Sequence, residues 1–123
     1  MTRAEIEKQF IERFGSIPSA VQTRLEVAEA TGRLEALSAL EAFRKITIDE
    51  SPLTAKIQRL VHFGMTLAIA EDEAIAAHAL SAHREGASLS ELVGVCESAA
   101  IVLGMPAYTR GMRAVSKLLE SES

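Results

Sequence analysis

Apolar side chains return at every third or fourth position through almost all of this chain and nowhere at every second, a period that belongs to helices and not to strands. Ile6, Phe10 and Phe14 make the first stripe, Val21, Leu25 and Ala28 the second, and Leu34, Leu37, Leu40 and Phe43 a third. The composition agrees: 48% of residues are hydrophobic but only 4% are aromatic, so the apolar content is mostly Ala, Leu, Ile and Val. Ala and Leu lose little freedom on entering a helix, whereas aromatic and β-branched residues lose more.

The punctuation between stripes is dense. Thr2-x-x-Glu5 reads as a capping box that opens the first helix, in which the hydroxyl takes an orphan N–H and the carboxylate reaches back. Gly15 stops that helix, Ser19-x-x-Gln22 opens the next, and Thr31-Gly32 is a break or tight bend. Residues 47–52, TIDESP, form the clearest connector, with Pro52 expected in the first turn of the following helix and Ser51 as its cap. Leu53, Ile57, Leu60, Val61, Gly64, Leu67 and Ala68 then hold helical spacing up to a junction at AEDEA, 70–74, whose acids suit the start of a helix dipole. Gly86 fits the position just past a helix C-terminus, Ser88-x-x-Glu91 is a second capping box, and Gly104-Met105-Pro106 breaks the helix that it opens. A last helix carries Tyr108, Met112, Val115 and Leu119. An all-α bundle of about six to seven helices in one domain, 1–123, is expected.

Several function classes are disfavoured. The formal net charge is −4, and Arg3, Lys8, Arg13, Arg24, Arg33, Arg44 and Lys45 are interleaved with acids, so no basic stripe for nucleic acid is expected. The uncharged run Leu60 to Ala70 is about half of the ~20 residues that a membrane span needs. The opening MTRAEIEKQF contains acids and does not read as a secretory signal, so a cytoplasmic protein is expected. A single cysteine, Cys96, excludes an internal disulfide framework and any intrachain cysteine-pair redox chemistry. Flanked by Leu92, Val95 and Ala99, it reads as a small buried hydrophobe.

From Leu53 to Ala107 the residues resemble the core of the carboxymuconolactone decarboxylase/alkylhydroperoxidase (AhpD-like) family. Lys56 and Leu60 match its first helical element and His78 its motif histidine. Ala82, Gly86, Ala87, Ser88 and Glu91 follow in register, and Gly104, Pro106 and Ala107 close the pattern. The resemblance implies a bundle built on antiparallel helical hairpins and a homo-oligomer, trimer or hexamer. This chain is a variant without the CxxC pair: Glu71 and Ala74 stand where the peroxidase branch has its two cysteines, and Arg59 replaces a relay glutamate. Without either sulfur, thiol peroxidase or antioxidant chemistry has no first step.

The decarboxylase branch of the family also lacks the cysteines and keeps the histidine. The resemblance therefore implies a lyase acting on a small carboxylated lactone or aromatic breakdown product. His78 would be the general acid/base and Glu71 its carboxylate partner, seven residues and so close to two turns away on one helical face. Arg59 or Arg110 would hold a substrate carboxylate, and His62 and Tyr108 would line the site. If the chain reverses near Ala70, His62 and His78 lie at about the same height on antiparallel helices. With Glu71 or Glu73 they would approach a metal set, but a site needs three converging ligands and two are placed, so neither metal nor organic cofactor is expected. His83, beside Arg84 and Glu85, reads as solvated surface. The competing reading is a catalytically silent oligomeric binding module, in which Arg59 pairs with Glu71 or Glu73. A peroxidase that borrows thiols from a partner ranks last.

Overall fold

The structure, a computed structural model, describes residues 1–122. It contains seven helices and, among the described residues, no strand. The chain divides into two compact units, Met1–Pro52 and Leu53–Ser123.

The first unit holds α1 (Arg3–Phe14), α2 (Ser19–Ala30) and α3 (Leu34–Asp49). Thr2 Oγ1 accepts from Glu5 N at 3.2 Å, and Gly15, with φ 82°, turns the chain out of α1. Of the stripes expected on α1 and α2, Ile6, Phe10, Phe14, Val21 and Leu25 are buried and Ala28 is half-buried; the rings of Phe10 and Phe14 stack at 5.8 Å. α3 departs from its pattern. Leu40 and Phe43 are exposed while Glu41 is buried, its carboxylate 2.8 Å from Arg44, whose guanidinium lies 5.3 Å over the Phe10 ring.

The connector lies later than its composition suggests. α3 continues through Asp49 because Lys45 reaches that carboxylate at 2.7 Å, one turn on, and holds the last turn together. Ser51 and Pro52 therefore stand outside any helix. The cap of α4 is Thr54, which accepts from Ile57 N at 3.3 Å.

The second unit is a pair of hairpins. α4 (Ala55–Ile69) and α5 (Asp72–Arg84) make the first, and α6 (Leu89–Leu103) and α7 (Met105–Ser121) the second. The reversal between α4 and α5 takes two residues. Ala70 adopts a left-handed conformation, φ 63°, at a cost of roughly 1–2 kcal/mol for a residue with a Cβ, and Glu71 caps α5. The reversal between α6 and α7 is the single residue Gly104, at φ 97° and ψ 175°, a region essentially closed to other residues. α5 ends in a Schellman motif: Ala87 N donates to Ala82 O and Gly86 N to His83 O, with Gly86 at the position its sequence context indicated. Both halves of the Ser88/Glu91 capping box form, and Glu91 also meets Lys56 Nζ at 3.0 Å, tying the start of α4 to the start of α6.

Phe63 and Leu67 from α4, Ile75, Ala79 and Ala82 from α5, Leu92, Cys96 and Ala99 from α6 and Ala107, Ala114 and Val115 from α7 form the core of this unit. Full burial of a side chain the size of Phe63 or Leu67 contributes about 1.5–3 kcal/mol. The many alanines let the helices approach closely. No helix of the described residues is long and apolar enough to cross a membrane.

Candidate functional site

The inward face of the α4–α5 hairpin is not wholly apolar. Gln58 and Arg59 are buried in the first turns of α4, 3% and 6% exposed, and Thr66 and Ser81 are buried further along the two helices. His62, one turn after Gln58 and Arg59, is half-buried, as is His78 on α5. The two-residue reversal at Ala70-Glu71 brings these histidines to the same height, as expected for a turn there. Their ring centroids are 5.8 Å apart and the rings are perpendicular. Nδ1 of His78 is sealed from solvent.

Arg59 is the buried cation of this seam. Its guanidinium donates to Gln58 Oε1. Among the described residues no carboxylate lies within ion-pair distance of it, so the pairing with Glu71 or Glu73 that would mark an inert network does not form. A guanidinium carries five N–H donors, and taking one out of water is costly unless they find acceptors.

Glu71 is engaged elsewhere. As the N-cap of α5 it is exposed, and its two oxygens accept from Glu73 N at 3.2 Å and Ala74 N at 2.9 Å. Seven residues of helix separate it from His78, about 10 Å of rise. The side chain in ring contact with His78 is His62. Tyr108 is half-buried on α7, packed against the core of the second unit. Among the described residues no three His, Cys, Asp or Glu side chains converge to hold a metal ion.

Cys96 is completely buried, and burial pushes its thiol up to about 11, so the thiolate that peroxide reduction requires is suppressed. It lies against α7 where Gly111 passes: a Cβ on Gly111 would stand 2.5 Å from Cys96 Sγ and 3.2 Å from Leu67 Cδ1.

Two features escaped the sequence reading. His83 is partly exposed, as expected of a surface residue, but it has specific partners. Its Nδ1 lies 2.7 Å from Ala87 O and its Nε2 bonds Glu122 Oε1, so one imidazole joins the end of α5 to the loop after it and to the residue that ends α7. Those two acceptors hold its protonated form above the usual histidine range, Ala87 O contributing most. The sequence gives no local sign of this, because Glu122 is thirty-nine positions away. The second feature was legible: Arg110, Arg113 and Lys117 stand at i, i+3 and i+7 on α7, a basic strip where none was expected.

Comparison with known proteins supplies the context for this seam. The sequence model of the carboxymuconolactone decarboxylase family matches residues 35–117, a wider span than the 53–107 that carry the motif residues. A crystal structure of a protein from Burkholderia xenovorans LB400, provisionally named a carboxymuconolactone decarboxylase, is similar at 27% identity and a TM-score of 0.80, over 98% of this chain and 94% of that chain. No curated protein matches this chain.

Proposed function

The chain belongs to the carboxymuconolactone decarboxylase family, and from that premise we propose that it is a lyase that decarboxylates a small carboxylated lactone or a related aromatic breakdown product. The observation that carries this reading is the ring contact between His62 and His78 one turn from a buried Arg59 that has no carboxylate partner among the described residues. The reaction breaks the bond between carbon and the departing carboxylate. Its electron pair moves into a conjugated carbonyl, CO2 leaves, and the dienolate takes a proton at carbon. His78 supplies that proton and regains one from water, as an imidazole readily does near neutral pH. His62, beside it, takes the orienting place that the resemblance implied for Glu71.

Arg59 holds a carboxylate that the substrate keeps. A guanidinium bound to the departing carboxylate would stabilise the ground state more than the transition state, because that charge disperses as the bond breaks. The test is turnover of a carboxylated unsaturated lactone, followed by CO2 release. His78→Ala should lower kcat by about 10²–10⁴-fold, and Arg59→Met should mainly raise KM. Wild-type protein that binds the lactone without consuming it would replace this reading with that of a silent binding module, which the capping role of Glu71 favours.

The same reading includes a homo-oligomer, trimer or hexamer. Ile57, Val61, Met65 and Ile69 form an exposed stripe along the outer face of α4. Beside it runs a groove of about 440 Å³ whose floor includes Gly64, Gly94 and Ser98. An apolar ridge next to a small-residue groove suits a second copy of the chain. Val61→Glu should yield monomers by light scattering; an unchanged mass would assign the contact to another face.

A further inference from the structure

The basic strip of α7 faces α5 across a groove of about 310 Å³, lined by Arg110, Arg113 and Lys117. Among the described residues none of the three has a carboxylate within ion-pair distance, whereas Arg3, Arg44, Lys45 and Lys56 each meet one. Two acids also line the groove, Asp72 at the α5 end and Glu120 near the end of α7. Asp72 lies in the first turn of α5, where the helix dipole offsets its charge. Glu120 is one turn beyond Lys117, and Asp72, at the start of α5, falls toward the other end because His83 at the end of α5 meets Glu122 at the end of α7; Arg110 and Arg113, two cations against that one acid, are left as the more positive end. Between the charges the wall is mostly hydrocarbon, from Ile75, Ala76 and Ala114, with the hydroxyl-bearing Ser116 beside Lys117.

Cations at both ends of an apolar trough define a ligand by its chemistry. From Arg110 to Lys117 is seven residues, about 10 Å of helix rise, with Arg113 between them. We propose that this groove binds a small aliphatic dicarboxylate. One carboxylate sits between the guanidiniums of Arg110 and Arg113, the other reaches Lys117, and the methylene chain lies on Ile75, Ala76 and Ala114. Guanidinium pairs bind carboxylate by charge-assisted, directional hydrogen bonds, and the alkyl wall rejects an ion that is charge alone. The site does not use the imidazole pair, and it stands whether or not the chain is a decarboxylase.

Calorimetric titration of the full chain with glutarate at low salt tests it. Saturable binding at one site per chain is expected, weakening as salt rises. The double variant Arg113→Ala/Lys117→Ala, at two exposed positions, should bind about tenfold or more weakly. His78→Ala should bind as the wild type does, which separates this site from the seam. The proposal is overturned if glutarate gives no saturable heat, or if the double variant binds like the wild type. It is equally overturned if the neutral pentane-1,5-diol or inorganic phosphate binds as tightly as glutarate, since the groove would then read hydrocarbon or charge alone.

Discussion

In the α6–α7 hairpin the helices are joined by one glycine and, among the described residues, bury no polar or charged side chain, Cys96 lying directly against Gly111. In the α4–α5 hairpin the inward positions include Gln58, Arg59, His62 and His78. The two hairpins belong to the same compact unit and have similarly short reversals, so architecture does not account for the difference. Aliphatic residues would fill the α4–α5 seam at lower cost, because each polar group there must be satisfied or destabilise the fold. On the proposed reading, a chain that buries such groups in one hairpin and not in the other divides work between them: one holds, the other binds.

The most sensitive way to break that division is to make the first hairpin resemble the second. His78→Phe fills the seam with a ring of similar shape and removes the proposed proton carrier. Turnover should fall by about 100-fold or more while the melting temperature holds or rises, as expected where function is kept at the expense of stability. A collapsed melting temperature with turnover intact would reverse the assignment. In the α6–α7 hairpin the expected loss is in stability. Gly111→Ala places a methyl group within 2.5 Å of Cys96 Sγ, and overpacking of this kind costs about 1–3 kcal/mol, partly offset by the better helix propensity of alanine. In urea denaturation the double variant with Cys96→Ala should recover part of the loss, since the two positions are in contact. Equal and additive losses would show that the approach of the helices is not limited here.

The fold was legible because its punctuation is local. Ser88 and Glu91 cap α6 within four residues, Gly86 ends α5 where a left-handed residue is needed, and the reversal near Ala70 placed His62 opposite His78. The start of α4 was misread because Pro52 and Ser51 are a plausible opening, while the deciding interactions belong to their neighbours: Lys45 with Asp49 prolongs α3, and Thr54 with Ile57 N opens α4. In the seam, residue types were legible but commitments were not. Nothing in the sequence reserves the Glu71 carboxylate for Glu73 N and Ala74 N, or joins His83 to Glu122. Those are choices among acceptors made only once the helices are in place.

Two smaller effects sharpen the comparison by testing what both hairpins share. Ser88→Ala removes one half of the box that also positions Glu91 for Lys56, and should cost about 1 kcal/mol in chemical denaturation. A loss within error would mean that Lys56 alone holds the start of α6. The smallest effect expected is at His83. Its protonated form donates to both Ala87 O and Glu122 Oε1, whereas the neutral ring can donate to one of them only. Because its folded-state value is raised, its contribution is complete below the ordinary histidine value of 6.5 and is lost as pH rises through the higher folded value. With a partly exposed partner it should amount to less than about 1 kcal/mol. The melting-temperature gap between wild type and His83→Gln should therefore be open in mild acid and close in alkali; a gap that widens with pH would overturn the sign.

The Ala70-Glu71 link acts as a ruler for the imidazole pair. One residue more or less would rotate α5 by about 100°, turning His78 out of the seam and bringing a neighbour such as Ala77 or Ala79 inward. Length at this point is thus under tighter constraint than residue identity. Among chains of similar sequence, the separation of sixteen positions between the two histidines should persist where the proton chemistry persists and drift where it has been given up.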